Sequence, residues 1–205
     1  TLTKGLLGVE GREPSQDEAD KVSFMKDIIF DGFLEAQNKG IDGGEPAILV
    51  DEKFGLQVQK KAKEMGIKFA APVEKSGQKV FDFEYGEDFA QKIEEVDADF
   101  VKVLVRWNPN DDEDVRTIQG KKMKQLSNFL SDSDRKFLLE FLVPATEEQL
   151  ASVQGDQSRY DSEVRPKLAV QVIEEMRERG SDPDIWKVEG LDTAEDKEKI
   201  SKDIK

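Results

Sequence analysis

Residues 184–192, DIWKVEGLD, place one lysine in the middle of a short apolar run. Side chains alternate along a strand, so Ile185, Lys187 and Glu189 are expected on one face, with Lys187 looking into whatever that strand helps enclose. Four other strand-like runs, ILVDE, FAAPVEK, FVKVLVRWN and KFLLEFLVP, also carry ionisable residues within or just after an apolar segment. A charge in apolar surroundings is costly unless it is paired or used, so this repeated placement reads as the lining of a site. The chain has no histidine and no cysteine. Serine–histidine and cysteine–histidine catalysis, disulfides and the commonest zinc ligand are therefore excluded. Acid–base or covalent work falls to Lys, Asp, Glu, Tyr or Ser.

The elements that must position these residues are legible from periodicity. The glycine-rich opening up to Pro14 reads as a loop. Ser15 with Glu18 forms a capping-box signature, and Val22, Met25, Ile29, Phe33 and Ala36 follow at helical spacing. After a turn over IDGGEP, strands are expected at 47–50, 67–73, 100–107, 137–143 and 185–188, with helices at about 53–65, 87–96, 115–130, 166–180 and 193–204 between and after them. Thr146 with Gln149 starts a further short helix, and GDQSRYDSE reads as a polar connection. Phe81, Phe83 and Tyr85 alternate with charge and are expected to pack. The run Asp111, Asp112, Glu113 and Asp114 lacks the glycine and terminal glutamate of a calcium loop. Acids at a helix N-terminus are favourable without any metal, so no metal site is expected there.

Alternating strand and helix argues for βα units and a parallel sheet. A doubly wound sheet and a (β/α)8 barrel both fit. No G-x-G-x-x-G or Walker-type loop follows a strand, which leaves the nucleotide-binding version of the first unsupported. Asp51, Glu74, Lys75, Arg106, Glu140, Lys187 and Glu189 lie within or at the carboxyl ends of their strands, where a barrel gathers its working groups; Lys102 sits deeper. The expected fold class is thus α/β of the (β/α)8 TIM-barrel type, as one domain over residues 1–205. A full barrel takes about 250 residues, and about five or six βα units are readable, so the barrel is expected to be incomplete.

At 205 residues and 37% hydrophobic content the chain can bury a sizeable core. A net charge of −14 and a pI near 4.6 argue against nucleic acid or an anionic membrane as partner. With no long apolar run and no charged-then-apolar leader, a cytoplasmic location is expected. Open edges of a parallel sheet favour association, so a homo-oligomer is expected.

AILVDEKFG, APVEKSGQ, DFVKVLVRWNP, KFLLEFLVPAT and DIWKVEGLD, in this order and at these intervals, resemble the class I, Schiff-base-forming aldolases of the tagatose-bisphosphate aldolase type. The likeness is strongest to the branch acting on 2-deoxy-5-keto-gluconate 6-phosphate in inositol breakdown, a domain also found fused to a sugar kinase. LLGVEGREPS and YDSEVRPKL are similar as well, so the resemblance spans nearly the whole chain. It implies that Lys187 forms an imine with a substrate ketone, that Glu140 shuttles the proton, and that Lys102 stands near the intermediate. It also implies that Asp51, Glu74 and Lys75 line the same cavity. Independently of the resemblance, Arg106 has the planar fork to bind a phosphate or carboxylate or else to pair with Asp111, and Glu189 is a further substrate-binding candidate. The implied substrate is a phosphorylated keto sugar or sugar acid, with no cofactor and no metal. A first strand with its own aspartate and two last strands, which usually build the phosphate site, are not in this sequence.

Imine chemistry needs a neutral amine, and a free lysine near pKa ~10.4 is almost wholly protonated at neutral pH. Burial and a second nearby cation favour the neutral form. Lys187 in an apolar strand, with Lys102 close by, would satisfy both. Without the resemblance, a buried Lys187 paired with Glu140 or Glu189 fits the same pattern, and the second class of function left open is a non-catalytic, barrel-derived accessory or sugar-phosphate-binding domain.

Overall fold

A computed structural model describes residues 2–40, 45–191 and 193–203, which divide into two compact units, Thr1–Pro72 and Val73–Lys205. The turn expected at residues 41–44, Asp192 and the expected helix end at Ile204 lie outside the described residues.

The first unit runs α1 (Leu2–Leu7), α2 (Gln16–Asn38), β1 (Ala47–Leu49), α3 (Glu52–Met65) and β2 (Lys68–Pro72). The expected opening loop is instead the short helix α1. Gly8, at φ +64, ends it and donates its N–H to the Lys4 carbonyl at 3.2 Å. Here glycine marks a helix end, which is also what its left-handed conformation permits. At the start of α2 the capping box forms as read: Glu18 N donates to Ser15 Oγ and Ser15 N to the Glu18 carboxylate. Of the expected apolar stripe Val22 is buried and Met25, Phe33 and Ala36 are half-buried, but Ile29 is exposed and its neighbour Phe30 is buried instead. Isoleucine and phenylalanine stand side by side there, so spacing alone does not choose between them.

In the same unit β1 and β2 pair in parallel, with Ile48 opposite Phe69. Asp51 caps α3 by accepting from Phe54 N at 2.9 Å and ion-pairs with Lys26. Gly66, at φ 67, closes that helix.

The second unit carries a 3-10 turn (Gly86–Asp88), α4 (Phe89–Val96), β3 (Phe100–Arg106), α5 (Glu113–Leu130), β4 (Lys136–Leu142), α6 (Glu147–Ser152), α7 (Gln157–Arg159), a π turn (Tyr160–Val164), α8 (Arg165–Glu178), β5 (Ile185–Lys187) and α9 (Ala194–Asp203). Strands β3, β4 and β5 lie side by side, all parallel, with Leu104 opposite Glu140 and Glu140 opposite Lys187. Together with the helices that follow each strand, this is an α/β architecture.

One face of β3 and β4 builds the core. Val101, Val103, Val105, Phe137, Leu139 and Phe141 are buried, and Met123, Leu126, Val172, Ile173 and Met176 of α5 and α8 belong to the same cluster. Trp107 is fully buried, its Nε1 donating to Glu175 at 2.8 Å with the Arg179 guanidinium over its ring. Trp186 of β5 packs partly buried against this core, edge-on to Phe141 and under Arg177. Phe81, Phe83 and Phe89 join the core as stacked and edge-on rings, whereas Tyr85 stays exposed.

The polar connection expected at residues 155–163 is instead helical and turns through the π segment. That turn buries Tyr160, whose hydroxyl donates to the Val143 carbonyl at 2.9 Å. Burial pushes the Tyr160 phenol up to about 12. A single apolar body among polar neighbours leaves no periodic trace, so the sequence does not reveal it.

Candidate functional site

Alternation along β3, β4 and β5 gives the site its floor. Residues opposite one another in a parallel register point to the same face, so Lys102, Leu104, Glu140 and Lys187 share the face that does not build the helical core. Glu74 joins them from the segment after Pro72. Val73 N donates to the Lys102 carbonyl at 3.0 Å, and Glu74 makes an antiparallel bridge with Phe83. Four charges thus form a row. Glu74 Oε1 accepts from Lys102 Nζ at 2.6 Å, Lys102 Nζ lies 3.1 Å from Glu140 Oε2, and Glu140 Oε1 accepts from Lys187 Nζ.

Burial along the row is uneven. The Lys102 side chain is 7% exposed and that of Lys187 53% exposed. The sequence reading expected Lys187 to be the lysine sunk in apolar surroundings; the buried one is Lys102, and Lys187 stands at the open end. The strand at 185–187 is short and its outer residues are exposed, which the apolar run IWKV does not disclose.

The two carboxyls shift in opposite directions. Burial is the largest influence on Glu74 and raises it above the ordinary glutamate value, against the attraction of Lys102. Burial is also the largest single influence on Glu140 and pushes upward, but the hydrogen bond from Lys187 and the charge and hydrogen bond of Lys102 outweigh it, and Glu140 ends below the ordinary value. Glu140 is thus held as an ionised carboxylate in direct contact with the ammonium of the accessible Lys187, within reach of its proton.

The remaining candidates have other placements. Glu189 Oε2 accepts from Val143 N at 2.9 Å and lies 3.7 Å from Arg165 Nη1, so it clasps the end of β4. Arg106 is exposed and donates to the Gln78 carbonyl at 2.9 Å. Lys75 is exposed, its backbone N–H bonded to the Asp82 carbonyl at 2.8 Å. Asp51 serves as the helix cap described in the first unit. Asp112, from the acidic run, caps α5 through Asp114 N and Val115 N.

Several supporting residues carry no sequence signal beyond their polar type. Asn108, fully buried just after β3, donates to the Pro144 carbonyl at 2.8 Å and to Gln149 Oε1 at 2.7 Å, tying the ends of β3 and β4 together. Gln119 of α5 is buried, accepts from Phe81 N at 2.8 Å and donates to the Arg106 carbonyl at 3.0 Å. Asp184 accepts from Phe137 N at 2.8 Å, so β5 is fastened to β4 by an acid before the strand as well as by Glu189 after it.

Fold and site together define a parallel α/β protein whose free strand face carries a lysine–carboxylate row. Residues 11–205 match a family model described as "Uncharacterized protein conserved in bacteria (DUF2090)", and the chain belongs to that family. No curated protein matches it.

Proposed function

We propose that this protein is a class I aldolase, a carbon–carbon lyase that cleaves a phosphorylated keto sugar or keto sugar acid such as 2-deoxy-5-keto-gluconate 6-phosphate through an imine on Lys187. The observation that carries the reading is the contact of Lys187 with Glu140, and of Glu140 with Lys102, on one face of three adjacent parallel strands. The resemblance of the strand motifs supports the same assignment, and the alternation of parallel strands with helices supports a barrel of the TIM type as the parent fold.

In this reading Glu140 takes a proton from Lys187, leaving a neutral amine that attacks the substrate ketone. Loss of water gives the imine, which accepts the electron pair of the breaking carbon–carbon bond. The products are an aldehyde and, after hydrolysis of the imine, dihydroxyacetone phosphate. Glu140 takes the hydroxyl proton as the aldehyde carbonyl forms and returns a proton to the enamine carbon before hydrolysis. Lys102 adds positive charge near the developing anion. Cytoplasmic location and self-association belong to the same proposal; no helix among the described residues is long and apolar enough to cross a membrane.

A non-catalytic binding domain is the second reading, favoured by the fact that Glu74, Lys102, Glu140 and Lys187 already pair among themselves. Against it, an ion pair built only for stability has no need of a lysine more than half exposed. Borohydride trapping with dihydroxyacetone phosphate, followed by intact mass and peptide mapping, separates the two. The aldolase gives a substrate-sized adduct on Lys187 that is absent from Lys187→Met. Folded protein that gives no adduct overturns the reading of this chain as an active aldolase.

A further inference from the structure

The row holds one carboxyl that the proposed reaction leaves unused. Glu74 lies at the end away from Lys187; its Oε1 accepts from Lys102, while Oε2 is sealed from solvent and has no hydrogen-bond partner. An ionised carboxylate accepts through both oxygens, so an enclosed, unpartnered oxygen is a place where a proton is readily held.

We propose that Glu74 is a positioning residue which, through Lys102, sets how readily Glu140 takes the proton of Lys187. The inference deepens the aldolase reading and rests on it. Lys102 Nζ stands 2.6 Å from Glu74 and 3.1 Å from Glu140, so one ammonium serves two carboxyls. With Glu74 protonated, the Lys102 charge falls on Glu140 alone and holds it as a carboxylate. With Glu74 ionised, that charge is shared and Glu74 also repels Glu140, so Glu140 becomes the better proton acceptor. In the transfer the N–H bond of Lys187 breaks, its electron pair stays on nitrogen, and an O–H bond forms at Glu140 Oε1; the net charge of the row is unchanged.

The charges facing Glu74 are Lys102 from β3 and Glu140 from β4. Lys187 of β5 reaches it only through Glu140. On its own segment Lys75 is exposed and Asp82 is paired with Lys122. The opposite shifts of Glu74 and Glu140 agree with this division, the first holding its proton to higher pH than the second.

Carbon-detected NMR of the side-chain carboxyls in the full chain, with and without Glu74→Gln, tests the coupling, and the pH profile of borohydride trapping reads its consequence. In the unmodified protein the Glu140 carboxyl should move in two steps, the upper coinciding with the Glu74 titration. In Glu74→Gln the upper step should vanish, and trapping should lose its rise over that pH range and fall about tenfold there, the effect of roughly one unit of Glu140 basicity. A single Glu140 step in the unmodified protein would overturn the proposal. So would a trapping profile of unchanged shape in a merely less stable Glu74→Gln. If the unmodified protein traps no ketone at any pH, the aldolase reading fails, and the carboxyl titration alone still decides the coupling.

Discussion

The two lysines of the row divide stability from chemistry. Lys102 is enclosed between Glu74 and Glu140, and removing it strands the buried Glu74 carboxyl while Glu140 keeps Lys187, so Lys102→Met should cost about 3 kcal/mol in urea unfolding. Lys187 is more than half exposed and leaves Glu140 still paired with Lys102; Lys187→Met should change unfolding by less than about 1 kcal/mol while abolishing the trapped adduct. Glu140→Gln keeps the shape but removes the proton acceptor and should slow trapping by about 10²–10⁴-fold. The identities of these residues were readable in the sequence, because charges within apolar strands are rare enough to notice. Their depths were not. Alternation fixes the face on which a side chain lies, whereas exposure of Lys187 follows from how briefly β5 pairs with its neighbour.

Among the elements, the strand-and-helix alternation was legible from apolar runs and caps, and the boundaries moved by one or two residues. What stayed hidden were joints made by single polar side chains: Asp184 and Glu189 on the backbone of β4, Asn108 between β3 and β4, and Tyr160 under Val143. None has a period to read. The start of α3 offers a sharp test. A Cβ on Gly55 would run into the Val50 side chain just before the Asp51 cap, so Gly55→Ala should destabilise by about 1–3 kcal/mol in thermal or urea unfolding, despite alanine's higher helix propensity. At Gly120 of α5 a Cβ would crowd the Arg179 side chain at 2.9 Å and touch the Trp107 ring at an ordinary 3.5 Å; the arginine side chain can shift more readily than Val50, so the same replacement there should cost less.

Over the whole chain, charge governs the response to acid. Glu18 is pulled down to about 2 by the hydrogen bond from Arg12 and then by the Ser15 N–H, and Glu45, Asp82, Glu95, Glu113, Glu163 and Asp184 are lowered as well. A carboxyl lowered in the folded state stabilises it above the ordinary value of 4.5 for glutamate and loses that contribution as pH falls through the folded value. Glu74, being raised, has the opposite sign: its contribution is present at low pH and lost as pH rises through its folded value. The lowered groups outnumber it, so the melting temperature should drop as pH falls from 4.5 towards 2, and less steeply in Glu18→Gln. The two tryptophans, Trp107 and Trp186, both belong to the unit Val73–Lys205, as do both tyrosines. Intrinsic fluorescence excited at long wavelength will therefore report the melting of residues 73–205 and stay blind to residues 1–72, whose only aromatic side chains are phenylalanines. A denaturation curve followed by emission alone describes part of the molecule, and its departure from one followed by helix ellipticity would count the cooperative steps.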